Sequence, residues 1–119
     1  MIRFVLPLFL LACGPRAVSE ADLPVARARA EAWLAAVERM DCDALLGMSQ
    51  TAMTRLECTE QAVVLRERFV HVLGVETVRE SPTEPGVAQA EARVVEEGNS
   101  ERILTLQLVR SGGDWVVRL

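Results

Sequence analysis

The chain has 119 residues, half of them apolar and a quarter charged, with 13 basic and 17 acidic side chains. This length suits one small domain with a single hydrophobic core and leaves no room for a second. The balance is acidic and the arginines are scattered, which argues against nucleic acid as a partner and against electrostatic docking on anionic lipid headgroups. We expect no cofactor.

The first twelve residues have the pattern of an export signal. Arg3 supplies the positive start, Phe4 to Ala12 form an apolar run of nine residues, and Ala12 is the small residue expected before the cleavage site. The run is too short to span a bilayer. Leu10-Leu11-Ala12-Cys13 resembles the lipobox of bacterial lipoproteins, in which the cysteine after the cut carries the lipid anchor.

Two alternatives are an ordinary signal peptide with an accidental cysteine and a buried N-terminal strand. The abrupt loss of hydrophobicity at Gly14-Pro15-Arg16 favours lipidation of Cys13. Two or three acyl chains on one residue give lasting membrane attachment. We therefore predict an extracytoplasmic lipoprotein of the bacterial cell envelope. Glycine rather than aspartate at position 14 slightly favours the outer membrane in a Gram-negative cell.

The predicted organisation is a signal peptide over 1–12, a short tether over 13–18 and a single domain over 19–119. Cleavage removes Arg3 and leaves 107 residues with 12 arginines and 17 acidic side chains, a formal charge of −5. A tether of this length spans at most about 20 Å, so the domain would lie close to the leaflet.

The remaining cysteines, Cys42 and Cys58, are an even pair in a chain predicted to leave the cytoplasm, which predicts a disulfide. Closing a loop of this size would stabilise the domain by about 3 kcal/mol in the chain-entropy model. The alternatives are two free thiols or half a metal site. With one histidine in the chain and no CxxC pattern, we predict no metal site.

Two helices are predicted after the tether. Ser19, Asp22 and Pro24 indicate the start of a long helix, and Asp41 would cap a short one over Cys42 to Met48. Ser49 to Glu57 reads as irregular. The buried stripe of the long helix is predicted from 3.6-residue spacing as Ala26, Ala30, Trp33, Val37 and Met40.

A third, medium-length helix is predicted over Glu60 to Leu73, capped by Thr59 and ended by Gly74. His71 falls opposite its buried stripe, four residues after Glu67. It is either a general base or a solvent-facing imidazole, and the second reading is favoured because no catalytic partner is visible near it. The predicted stripe is Ala62, Leu65, Phe69, Val72 and Leu73.

After Gly74 the apolar period changes to two, which indicates strands. The turn residues predict four antiparallel strands, over Val75–Glu80, Val87–Glu96, Glu101–Arg110 and Asp114–Leu119. Helices followed by a meander indicate an α+β domain, with helices packed on a curved sheet. One face of the second strand carries a row of alanines, which predicts either close helix packing or a cavity, and close packing is the simpler expectation.

The helix order, the short Asp41–Leu46 helix and the terminal Gly113-Asp114-Trp115-Val116-Val117 strand resemble the nuclear transport factor two-like (cystatin-like) fold. Among its members the chain is similar to small bacterial lipoproteins of unknown function. The resemblance implies a cone between helices and sheet. Ketosteroid isomerase, scytalone dehydratase and limonene epoxide hydrolase use acids, histidines or tyrosines in that cone, and none of those catalytic sets maps onto this sequence.

The favoured function is therefore a non-catalytic binding module whose cone accepts a small apolar ligand or an accessory peptide. The alternative is a structural or assembly partner in an envelope complex, recognised by an exposed apolar patch or an open sheet edge. An enzyme of the same fold is the third hypothesis. The predicted pocket lining is Trp33, Leu65, Phe69, Ala90, Leu106 and Trp115.

Overall fold

The computed structural model describes residues 16–50 and 53–118 and, within them, every side chain except those of residues 65, 66 and 68–70. Cys13 and the predicted signal peptide lie outside the described residues. The described chain forms three helices and five strands: α1 (Asp22–Arg39), α2 (Cys42–Met48), β1 (Ser49–Gln50), α3 (Arg55–Arg68), β2 (Phe69–Glu80), β3 (Ala88–Glu96), β4 (Glu101–Ser111) and β5 (Asp114–Arg118). Among the described helices, none is both long and apolar enough to cross a bilayer.

The α+β architecture is confirmed, but the sheet has five strands in the order β1-β5-β4-β3-β2. The prediction of four purely antiparallel strands is wrong because α2 returns the chain alongside β5. There Ser49 and Gln50 pair in parallel with Val117 and Arg118. The other neighbours pair antiparallel, as in a meander.

Helix α1 buries the stripe that its spacing predicts. Ala26, Ala30, Trp33 and Val37 all lie in the core. Met40, the predicted end of that stripe, is instead 40% exposed. It follows the last helical residue with a φ of 54°, so the left-handed helix end turns its side chain away from the core.

Helix α3 begins five residues earlier than predicted and also ends five residues earlier. Its true cap is Thr54, whose hydroxyl accepts from the Glu57 amide at 3.2 Å. Glu57 reaches back to the Thr54 amide, which completes a capping box. Thr59, the predicted cap, lies one turn inside the helix and donates to the Arg55 carbonyl at 2.9 Å.

The segment after Arg68 is strand rather than helix, since β2 starts at Phe69. β-branched residues at 70, 72 and 75 favour this extended backbone. Gly74, predicted to end a helix, lies within β2 with a φ of 149°, where the register to β3 shifts. His71 is exposed as predicted, but on this strand, with Nδ1 at 3.9 Å from Glu38 of α1 rather than beside Glu67.

The apolar face of the sheet is packed where the alanines lie. Ala88, Ala90 and Ala92 are completely buried and pair with Leu108, Leu106 and Leu104 of β4. They share one core cluster with the buried alanines of α1 and with Trp115. Small side chains on both surfaces allow helix and sheet to approach closely.

Cys42 at the start of α2 and Cys58 in the first turn of α3 lie at disulfide distance, with a Cα–Cα separation of 5.9 Å. This separation is within the range that a disulfide allows. Both side chains are buried. The pair therefore links the start of α2 to the first turn of α3 within the core.

Candidate binding groove

A groove of about 800 Å³ opens between α3 and the edge of the sheet. Its apolar surface comes from Trp33 of α1, Val64 of α3, and Leu104 and Leu106 of β4. Trp33 and Leu106 are otherwise buried in the core, whereas Val64 is 63% exposed. The groove thus continues the apolar interior outward to solvent.

In the part of the chain that the structure describes, neither α3 nor β5 covers this part of β4. Helix α3 packs against α1, α2 and β2. Among residues up to 118, β5 pairs with β4 as far as the Gln107–Arg118 pair, while β4 begins at Glu101. The stretch of β4 around Leu104 to Leu106 therefore has β3 on one side and the groove on the other.

Polar side chains form the rim. Gln61 and Glu60 stand on the α3 side, and Thr105, Gln107 and Arg118 on the sheet side. Arg118 donates to both carboxylate oxygens of Glu84, at 2.6 and 3.1 Å, and also to Gln107. The hydrogen bonds from Arg118 lower the pKa of the Glu84 carboxyl below its usual value, and the same bonds raise the pKa of Arg118. An apolar floor with a few polar groups at the mouth is typical of sites for small apolar ligands.

A second, much smaller cavity lies behind Trp33. It measures about 30 Å³ and is lined by apolar residues of α1 to α3, by Met53 and Cys58, and by the polar residues Ser49 and Gln61. The indole Nε1 of Trp33 donates to the Ser49 hydroxyl at 3.0 Å. This bond fixes the indole between the small cavity and the groove, so Trp33 forms the wall between the two spaces.

The residues predicted to line a pocket do not all meet. Trp33 and Leu106 lie on the groove, whereas Ala90 and Trp115 lie in the packed core and line none of the described cavities around it. The side chains of Leu65 and Phe69 lie outside the described part of the structure. Cys13 lies outside it as well.

Sequence reasoning missed Val64, Gln61, Leu104 and Arg118. The Thr54-x-x-Glu57 capping box was visible in the sequence and would have placed the start of α3 correctly. Leu104 lies within the third predicted strand, but its place on the groove depends on strand register. Arg118 is held on the rim by its pairing with Gln107 and by Glu84, which is distant in sequence.

The groove brings few reactive groups together. Its described lining holds one carboxylate, that of Glu60, and one hydroxyl, that of Thr105. His71 lies beside Glu38 rather than on this groove. Within the described residues, no cluster of His, Cys, Asp and Glu side chains could hold a metal ion.

Comparison with known proteins adds one result. No protein-family model matches the chain, and no curated protein matches it. Among solved structures, a Campylobacter jejuni protein named as an NTF2-like transpeptidase superposes with a TM-score of 0.51, at 12% identity, over 76% of this chain and 94% of that chain. The fold is NTF2-like. At this identity the similarity concerns the fold alone, and the activity named for the Campylobacter protein is not transferred to this chain.

Proposed function

We propose that this protein is a membrane-anchored lipoprotein of the bacterial envelope whose NTF2-like domain binds a small apolar ligand without catalysis. The observation that carries the proposal is the open groove between α3 and β4, with Trp33, Val64, Leu104 and Leu106 as its apolar surface. Burial of apolar surface supplies the affinity, and Gln61 and Gln107 on the rim orient a polar end of the ligand. The anchor is Cys13, on the sequence evidence alone.

The absence of catalysis is part of the same proposal. Arg118, the cationic side chain of the described rim, is bound by Glu84, so it is not available as a positioned acid or electrophile. The neighbour from Campylobacter is named as a transpeptidase, a reaction that needs an activated nucleophile. In the described lining of the groove, the hydroxyl of Thr105 has no histidine or second acid placed to activate it.

The groove is tested by titrating the mature protein with the fluorescent apolar probe N-phenyl-1-naphthylamine. Val64→Glu puts a carboxylate on the apolar surface and should weaken probe binding by about tenfold or more, which corresponds to about 1.4 kcal/mol. Leu56→Glu is the matched control, because Leu56 lies on the same helix, is 70% exposed and does not line the groove. Equal probe binding by both variants and the parent would refute the groove as the site.

The second candidate, an assembly partner in an envelope complex, is favoured by the edge of β4. Gly112 and Gly113 form a two-residue hairpin with φ values of 58° and 86°, closed by the Ser111–Asp114 pair. Because the closing pair of such a hairpin is hydrogen-bonded, alternate residues of β4 turn their N–H and C=O groups toward β5. Beyond the end of β5 these are Thr105 and Ile103, and no strand in residues 16–50 or 53–118 pairs with that side.

An extended peptide could add to this edge as a strand and lay alternate side chains into the groove. Ile103→Pro removes one of the two backbone N–H donors on this edge, those of Ile103 and Thr105. The change should prevent strand addition, while the small apolar probe should still bind. A peptide library screened against the mature protein distinguishes the two candidates. Peptide capture that depends on Ile103, together with no uptake of the probe, would favour the assembly role.

A further inference from the structure

The chain just after the predicted anchor is bound to the sheet rather than free. We infer that Arg16–Val18 are clamped by Arg110 and Glu80, and that this clamp sets which end of the domain faces the membrane. The second half of the inference rests on the proposed lipid anchor at Cys13. The first half stands on contacts within the described residues.

Arg110 of β4 holds the segment through its backbone carbonyls. The guanidinium donates to the Arg16 carbonyl at 2.9 Å and to the Ala17 carbonyl at 3.4 Å. It also donates to the Asp22 carboxylate at 2.5 Å, at the start of α1. One side chain thus joins the N-terminal segment, the first helix and the sheet, across sequence separations of 88 to 94 residues.

Glu80, the last residue of β2, holds the same segment through a backbone amide. Its Oε2 accepts from the Val18 N–H at 2.8 Å and from the Gly86 N–H at 3.1 Å. The carboxylate therefore ties Val18 to the loop over Ser81–Val87. Both amides donate to an ionised carboxylate, so these hydrogen bonds are charge-assisted and stronger than bonds between neutral groups.

The clamp residues are themselves held in place. The Arg110 guanidinium lies over the Trp115 ring, 4.6 Å from its centroid. Arg110, Asp22 and Glu80 are all half-buried, so their contacts are screened less than those between fully exposed charges. These contacts hold the backbone of three consecutive residues, so this part of the tether is fixed to the domain.

The short chain between Cys13 and Arg16 determines which end of the domain lies near the anchor. Only Gly14 and Pro15 separate Cys13 from Arg16, so the lipid-bearing residue lies within about 11 Å of a fixed point on the domain. Arg16 shares a surface depression with Pro85, Gly86 and Val87. The Ser81–Val87 end must therefore lie against the leaflet. The β3–β4 turn lies at the other end of β3, a strand of nine residues, about 30 Å away.

The clamp is tested first without a membrane, in the full mature chain carrying Cys13→Ser. The Val18 amide should exchange with solvent at least about tenfold more slowly than an unstructured amide, as a hydrogen-bonded group does. Arg110→Gln and, separately, Glu80→Ala should each remove that protection. Arg102 is an exposed residue on the same strand that bridges Glu96 at 2.9 Å, so Arg102→Gln should leave the protection unchanged. Free exchange of Val18 in the parent chain would overturn the clamp.

The orientation is tested with the lipidated protein in nanodiscs whose headgroups carry a gadolinium chelate. The Thr83 amide should relax several-fold faster than the Asn99 amide, because the paramagnetic effect falls steeply over the ~30 Å between the two ends. In Arg110→Gln this difference should shrink, and in Arg102→Gln it should persist. Equal relaxation of Thr83 and Asn99 in the parent protein would overturn the orientation.

Amide exchange at Val18 and lipid analysis of Cys13 test the clamp and the lipid anchor separately. If Val18 is protected but no lipid is found on Cys13, the anchor fails and the clamp stands. If Cys13 is lipidated but Val18 exchanges freely, the anchor stands and the clamp fails.

Discussion

Replacement of Ala90 by leucine decides whether the space under the sheet is filled. Ala90 is completely buried, faces the core cluster, and pairs with Val78 on one side and Leu106 on the other. Leucine adds three carbon atoms there. In a hollow core these would gain about 2 kcal/mol of stability from burial. In a packed core they cost about 1 to 3 kcal/mol through displaced neighbours.

The structure places no cavity against Ala90 among those around the described core, so we expect destabilisation. For a domain of this size, about 2 kcal/mol corresponds to a fall in Tm of roughly 8 to 16 °C. Thermal unfolding followed by circular dichroism measures it. Val64→Phe is the control, because its added bulk enters the open groove and should change stability by less than about 0.5 kcal/mol. A Tm that rises in Ala90→Leu would refute the account of the packed alanine row.

Three further predictions concern the disulfide, acid stability and anchoring. The double variant Cys42→Ala, Cys58→Ala should lose about 3 kcal/mol of unfolding free energy in urea, and unchanged stability together with two titratable thiols in the parent would contradict the pair. Hydrogen bonds from Ser19 and Arg110 lower the pKa of Asp22, and those from Val18 and Gly86 lower that of Glu80. Their stabilisation is thus present above the ordinary values of 3.8 and 4.5 and lost as pH falls through and below them. Tm measured against pH should therefore fall less steeply in Glu80→Ala than in the parent, and parallel curves would exclude Glu80 as a contributor. Finally, Cys13→Ser should abolish labelling by a fatty-acid probe and release the protein from the membrane fraction, and labelling that survives the change would disprove the anchor.

Local sequence patterns correctly predicted the helices and strands that depend on residue spacing and capping. The α1 stripe, the Asp41 cap of α2, which accepts from the Ala44 amide at 3.2 Å, and the alternation of β3 to β5 all follow from spacing and capping. The α3–β2 boundary was wrong because residues 69–73 fit a helix stripe as well as a strand, and pairing with β3 selects the strand.

The features that carry the proposals depend on the tertiary structure instead. Strand β1 is two residues long and forms only because Val117 and Arg118 lie beside it. The groove depends on where α3 stands relative to β4, which no local pattern encodes. Arg110 and Glu80 read as ordinary strand charges in the sequence, and only their distant partners at Arg16–Val18 make them a clamp.

The alanine row and the groove have one physical cause, the match between side-chain size and the element placed above it. Over β3, the buried alanines of α1 meet alanines on the sheet, so the two surfaces approach closely and leave no space. Over β4 the side chains are leucines, and the groove lies beside Leu104 and Leu106. The alanines of β3 therefore mark tight packing, and the groove lies beside larger residues of the neighbouring strand. A search for the binding site should begin at Val64 and Leu104 rather than at Ala90.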